Sequence, residues 1–97
     1  PLAYGGSHVF YVWPFTVHGV NRTRFIKRLV DKGIPASGGY ITPPLHHYPA
    51  FRKYAKRELP VVDDLSFKTL CLLDCVRSPA TEADMEYVAQ SMQECLK

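Results

Sequence analysis

Residues 40–51 read YITPPLHHYPAF, and this stretch separates two segments with ordinary amphipathic patterns. It combines two histidines, three aromatic residues and three prolines. Because proline fixes φ near about −65° and favours extended backbone in the residue before it, we expect a stiff loop. Such a loop holds polar side chains at a surface and loses little conformational freedom when it binds a ligand.

Upstream, residues 8–18 carry an apolar side chain at every odd position. This period of two, rich in aromatic and β-branched residues, predicts a strand with one buried face. Pro14 cannot donate to a ladder, so we expect it at a sheet edge or a bulge. Residues 1–7 are expected to form a linker that enters the strand.

A helix and a short extended segment should follow the strand. Residues 22–32 carry an apolar stripe with charges elsewhere, which predicts an amphipathic helix of about three turns. Asn21 is positioned to cap its N-terminus, and Gly33 stands where a helix ends. Residues 34–37 are then expected to be extended.

Downstream of the loop, the pattern predicts two short helices and a buried strand. The first helix is expected to begin at residue 49 or 50 and to end at residue 56. The pair Asp63-Asp64 is expected to cap a second helix over residues 65–70. Residues 71–74, which begin with the apolar Cys71-Leu72-Leu73, then predict a buried strand.

The final segment predicts a helix that runs to the end of the chain. Thr81 is a suitable N-cap, and Asp84 stands at the capping-box position. The whole order predicts an α+β fold, a small and mostly antiparallel sheet covered on one side by helices. Residues 1–97 are too few for a second core, so we expect a single domain.

Composition excludes several classes of partner. The net charge of +3 is mild, and nucleic-acid binding would need a longer basic stripe or a docking motif. No apolar run approaches the about 20 residues of a membrane helix, so we expect neither nucleic acid nor membrane as a partner. Three cysteines, an odd number, favour reduced thiols and a cytoplasmic location.

The common catalytic and metal constellations are not predicted. Adjacent residues such as His46 and His47 rarely aim at one ion, and no cysteine or carboxylate stands at ligand spacing nearby. We therefore expect no metal. The cysteines sit in apolar sequence or at a helix end, which disfavours a Cys–His nucleophile. No catalytic residue is expected within the chain.

Four polar residues around the loop remain as candidates for ligand contacts: Tyr40, His46, Tyr48 and Arg52. Two phenols, an imidazole and a guanidinium suit a polyhydroxylated or phosphorylated ligand. The alternative is an aromatic and proline-rich loop that merely packs over the sheet edge. The spacing of the residues alone does not separate the two.

Several stretches occur in the order found in a known family, and together they cover nearly the whole chain. They are His8-Val9-Phe10-Tyr11, Arg24-Phe25, Gly33-Ile34, Tyr40, Pro44-Leu45-His46, Pro49-Ala50-Phe51, Leu59-Pro60-Val61-Val62-Asp63 and residues 79–85. This ordered set resembles the C-terminal small domain of the DegT/DnrJ/EryC1/StrS family, the sugar aminotransferases that use pyridoxal phosphate.

The resemblance implies an enzyme that moves an amino group from glutamate or glutamine to a keto-sugar nucleotide or a keto-cyclitol. In that family a large domain holds pyridoxal phosphate on a Schiff-base lysine, and two subunits form a homodimer. Neither that domain nor its cofactor motifs are in these 97 residues, so the fragment is expected to bind no cofactor and to be inactive alone. Lys68 follows Ser66-Phe67, but the family's lysine stands elsewhere.

Two positions carried over from the family are Tyr40 and His46, in a loop that reaches the substrate side. Phe51 matches a position that is often tyrosine, and Gly39 stands where the family often has histidine. Both departures remove a polar contact, so the substrate is expected to differ from a typical nucleotide sugar. The alternative from another class is a free-standing α+β module that binds a ligand or protein through residues 40–51 without catalysis.

Overall fold

The computed structural model describes residues 11–97, and the predictions for residues 1–10 lie outside the described residues. The elements are β1 (Trp13–Thr16), α1 (Arg22–Asp31), β2 (Ala36–Ser37), α2 (Pro60–Asp64), β3 (Leu70–Leu73) and α3 (Glu82–Cys95). Two 3₁₀ turns lie between β2 and α2, at Leu45–His47 and Arg52–Tyr54, and a π-helical turn, Leu65–Thr69, continues α2 into β3.

The sheet has three strands in the order β1-β3-β2, and both pairings are antiparallel. Phe15 faces Cys71 across the first pairing, and Ala36 faces Leu73 across the second. Because β1 pairs on one side only among residues 11–97, the missing ladder donor at Pro14 is tolerated, as the sequence predicts. The described chain is a small α+β domain with a three-stranded antiparallel sheet and three helices.

The main core lies between the sheet and the helices α1 and α3. Cys71 and Leu73 of β3 are completely buried there, together with Phe25 and Leu29 of α1. Val88 of α3 belongs to the same cluster. Alternate residues of a strand point to opposite faces, so Leu72 faces away from this core.

Leu72 instead lines a cavity on the other face, which it shares with Val62 and Leu65 of the α2 region and with Pro44 and Leu45 of the loop. The proline-rich loop and α2 are thus brought together against this face. This arrangement positions the candidate site.

Local signals at α1 are confirmed. Asn21 Oδ1 accepts a hydrogen bond from the backbone N–H of Arg24 at 2.9 Å, which caps the helix. Gly33 has φ +82°, and the N–H of Ile34 donates to the carbonyl of Leu29 at 3.0 Å. These contacts form a Schellman ending, in which glycine accepts a conformation that other residues avoid.

The capping box of α3 is also confirmed. Thr81 N–H donates to the Asp84 carboxylate at 2.8 Å, and Asp84 N–H donates to Thr81 Oγ1 at 3.2 Å. The Thr81 backbone N–H, with its hydroxyl, holds the pKa of Asp84 below the ordinary value. A carboxyl with a lowered folded pKa stabilises the fold once it is ionised.

Replacing Asp84 by asparagine should therefore lower the free energy of unfolding at neutral pH. The stabilisation by the ionised Asp84 carboxylate is complete above the ordinary pKa of about 4. It is lost as pH falls through the lower pKa of the folded state. The difference between wild type and Asp84→Asn should shrink in acid when urea unfolding is followed across pH. Glu86→Gln, on the exposed middle of the same helix, is the control, and a gap that is constant with pH would refute the explanation.

Two predictions between the loop and β3 are wrong. The segment beginning at residue 49 or 50 forms only the single 3₁₀ turn Arg52–Tyr54, and its aromatic residues are exposed. The next helix begins at Pro60 rather than after Asp64, and no side chain caps its N-terminus. Asp63 therefore lies inside α2 and is free for another contact. Among residues 11–97, no helix is long and apolar enough to cross a membrane.

Candidate functional site

Three polar side chains converge where the loop meets α2. The Nε2 atoms of His46 and His47 lie 2.8 Å and 2.7 Å from the same oxygen, Oδ1 of Asp63. A carboxylate oxygen only accepts, so in this arrangement each ring donates from Nε2. We call these three residues the His-His-Asp cluster.

Local backbone structure fixes the positions of the His46 and His47 rings. The Leu45–His47 turn is closed by His47 N–H donating to Pro44 at 2.9 Å and by Tyr48 N–H donating to Leu45 at 3.0 Å. On the other side, Pro60 starts α2 and thereby places Asp63 at the fourth helical position. The cluster thus joins two elements whose backbones are each fixed locally.

Aromatic contacts hold the rings in place. The centroids of His46 and His47 are 4.3 Å apart, and the ring of Phe67 meets His47 edge-on at 5.3 Å. Edge-to-face packing of this kind restrains ring orientation. The imidazole of His46 is mostly buried, whereas His47 and Asp63 are about one-third exposed.

The two hydrogen bonds stabilise the charged form of Asp63. The bond from His47 is the larger cause, and it acts with the bond from His46 to hold the pKa of Asp63 below the ordinary value. Desolvation opposes the shift but does not cancel it. Asp63 is therefore an anion across the neutral range, flanked by two donors.

The cluster opens into a wide groove of about 1130 Å³. Besides the cluster itself, its lining includes the cationic residues Lys56, Arg57 and Lys68 and the imidazole of His18. The lining also carries the acidic residues Glu58, Asp63 and Asp64, so cationic and anionic groups are mixed along the groove. Lys68 is exposed here, as expected for a solvated lysine.

Tyr40 belongs to a different cavity, of about 360 Å³, which the loop shares with Leu72. Partial desolvation, followed by the nearby Asp74 carboxylate, raises the pKa of Tyr40, so its phenol is neutral. Its ring lies 6.5 Å from that of Tyr11. Gly39, beside it, has φ +136°, a conformation that histidine adopts only under strain.

The predicted contact residues are therefore not gathered at one point. Tyr40 borders the smaller cavity and His46 the groove. Tyr48 is half-buried and its hydroxyl donates to the Thr42 carbonyl at 3.4 Å, within the loop itself. Phe51 and Arg52 are exposed and line neither cavity.

The sequence analysis missed Asp63. Its interpretation as a helix cap is wrong, and so is the premise that no carboxylate lies near the loop histidines. One signal was available, because proline is favoured at the first position of a helix. Reading Pro60 in that way would have placed Asp63 beyond the capping position.

The cysteines fit a structural role. Burial raises the pKa of the Cys71 thiol, and burial, with the Asp74 charge, raises that of Cys75. A thiol with a raised pKa is a poor nucleophile. Within the part of the chain that the structure describes, the three cysteines are free.

Comparison with known protein families, with curated proteins and with solved structures gave no match. We therefore propose a function from the residues of the chain and their geometry.

Proposed function

We propose that this chain is the C-terminal small domain of an aminotransferase that uses pyridoxal phosphate and acts on a keto-sugar nucleotide or a keto-cyclitol. The chain contributes a substrate-side loop, residues 40–51, and is inactive alone. The ordered sequence motifs support this proposal, and one feature of the molecular surface supports it independently.

That feature is the exposed apolar surface around the loop and α2, which is the main structural support for the proposal. Its exposed side chains are Tyr40 (65%), Ile41 (58%), Leu45 (53%), Val61 (71%), Val62 (42%) and Phe67 (45%). Four of them border the cavity beside Leu72, whereas Val61 and Phe67 line the groove. Soluble monomers rarely expose large apolar surfaces, so these side chains are suited to packing against another domain. A large domain seated here would place its substrate beside the loop.

The polar groups near this face match the proposed substrate. The neutral phenol of Tyr40 can donate to a sugar or cyclitol oxygen. Lys56 and Arg57, on the groove lining, suit the phosphates of a nucleotide sugar. The glycine-only backbone at Gly39 gives a physical reason for the departure from the family's histidine.

The residues present do not fit pyridoxal phosphate. Lys68 is exposed on an open groove, and none of the glycines in residues 11–97 follows the spacing of a phosphate loop. We therefore propose that the cofactor is held by a large domain outside this chain, in a homodimeric and cytoplasmic parent enzyme.

The test is amino transfer by the protein encoded by the complete reading frame, with glutamate or glutamine as donor and a panel of keto-sugar nucleotides and keto-cyclitols. Tyr40→Phe should raise KM for the keto substrate about tenfold, because one hydrogen bond to the substrate is lost. Tyr54→Phe, an exposed phenol outside both cavities, is the control. Equal kinetics for the two variants would contradict the role of the loop.

A free-standing binding module is the second candidate. The His-His-Asp cluster favours it, because this polar site is complete within the chain. A start codon close upstream of Pro1 in the gene would support the module, and an in-frame large domain with a cofactor lysine would support the enzyme.

A further inference from the structure

We propose that His46, His47 and Asp63 bind a divalent transition-metal ion of the zinc type. One ligand atom from each residue, an imidazole nitrogen or a carboxylate oxygen, lies within 4.8 Å of the other two. The inference does not depend on the aminotransferase proposal, since the three residues belong to this chain alone.

The ligand set selects the metal. Imidazole nitrogen and carboxylate oxygen are the usual zinc ligands, whereas calcium and magnesium prefer oxygen alone. Three protein ligands leave a fourth position of a tetrahedral ion open, as in catalytic zinc sites. The three residues line the groove together with Lys56, Arg57 and Lys68, which can accompany an anionic fourth ligand.

Two of the three separations between ligand atoms need little adjustment. Zinc at 2.0–2.2 Å from each ligand in a tetrahedral arrangement separates ligand atoms by about 3.3 Å. The present separations from Asp63 Oδ1 are the hydrogen-bond lengths 2.8 Å and 2.7 Å. Each nitrogen must therefore withdraw by about half an ångström, which side-chain rotation provides.

Adjacent histidines rarely bind the same ion, but this objection does not hold for the Leu45–His47 turn. Neighbouring side chains on a 3₁₀ turn generally diverge, since each residue advances by a third of a turn. Here the two ring centroids are nonetheless 4.3 Å apart, and Phe67 packs against the edge of His47. The rings already face a common point. On metal binding, the proton of each neutral imidazole is carried by Nδ1 instead of Nε2.

Titration of the 97-residue chain with Co²⁺ and Zn²⁺ tests the proposal, by the visible spectrum of tetrahedral cobalt and by calorimetry. We expect one ion per chain. His46→Ala, His47→Ala and Asp63→Asn should each lower affinity by more than about 100-fold, because loss of a ligand should exceed the roughly 10–100-fold cost of losing an outer contact. Matched controls are His18→Ala in the same groove, Asp64→Asn beside the cluster and Cys75→Ser, and each should bind as wild type does.

Thermal unfolding separates lost binding from lost folding. An ion that binds the folded state raises the melting temperature of the wild type, and the shift should vanish in Asp63→Asn while its circular dichroism spectrum remains folded. The proposal is overturned if the wild type takes up no stoichiometric ion, if affinity survives all three cluster substitutions, or if the Cys75→Ser or His18→Ala chain loses the ion instead.

Discussion

Replacing Phe25 by alanine is expected to lower the free energy of unfolding by about 3–5 kcal/mol. Phe25 is only 2% exposed, and its ring meets Phe15 of β1 edge-on with centroids 6.2 Å apart. Alanine would leave a cavity between α1 and the sheet that the close-packed neighbours fill only in part. Because a chain of 97 residues has only about 5–15 kcal/mol of stability, the urea midpoint should fall sharply.

Val30→Ala is the matched control for this prediction. Val30 lies on the same helix but is 51% exposed, so its truncation should change stability by less than about 1 kcal/mol. Similar losses for the two variants, measured by urea unfolding followed by circular dichroism, would contradict the placement of the core.

Replacing Arg22 by methionine is expected to cost about 2–4 kcal/mol, because it removes a charged donor shared by several backbone carbonyls. Arg22 Nη1 lies 3.2, 2.8 and 3.1 Å from the carbonyl oxygens of Leu65, Ser66 and Leu70. These contacts tie the start of α1 to the π-helical turn and to the beginning of β3. Methionine keeps the stem but leaves partly buried acceptors without their partner.

Arg24→Met controls for the loss of charge, since Arg24 is exposed on the same helix. Hydrogen exchange should accelerate around residues 65–70 in Arg22→Met and remain unchanged in Arg24→Met. Equal stability of the two variants would mean that Arg22 is a solvated surface residue. Gly38 leaves room for this close approach, since an added Cβ would lie 3.2 Å from Cζ of Arg22.

Sequence reasoning succeeded where the signal is local. Asn21 and Asp84 act within three residues of the groups they contact, and Gly33 sets its own φ. Side-chain chemistry alone therefore determines these helix ends. The edge position of Pro14 follows in the same way from its missing donor.

The candidate site could not be predicted in this way. His46 and Asp63 are 17 residues apart and belong to elements of three and five residues, which are too short to show periodicity. The contacts of Arg22 likewise could not be predicted, because in the sequence it is one of several charged residues on a helix face and the π-helical turn that it contacts is not apparent. Such contacts depend on how the loop and α2 meet against the sheet, which is a tertiary property.

The aminotransferase function and the metal site are separable proposals. The aminotransferase assignment depends on the motif order and on the apolar face around Tyr40, and the metal site depends on the His-His-Asp cluster. A chain that takes up zinc and belongs to a larger enzyme satisfies both. Failure of metal binding leaves the enzyme assignment standing, and the reverse is also true.

Mapping of the cofactor lysine is the sharpest test of the aminotransferase proposal. The complete protein and the 97-residue chain would each be incubated with pyridoxal phosphate, reduced with borohydride and digested for mass spectrometry. If the proposal is right, one stoichiometric pyridoxyl-lysine will be found in the complete protein, at a position before Pro1, and none in the isolated chain. A stoichiometric pyridoxyl group on Lys68 of the isolated chain, or none in the complete protein, would contradict it.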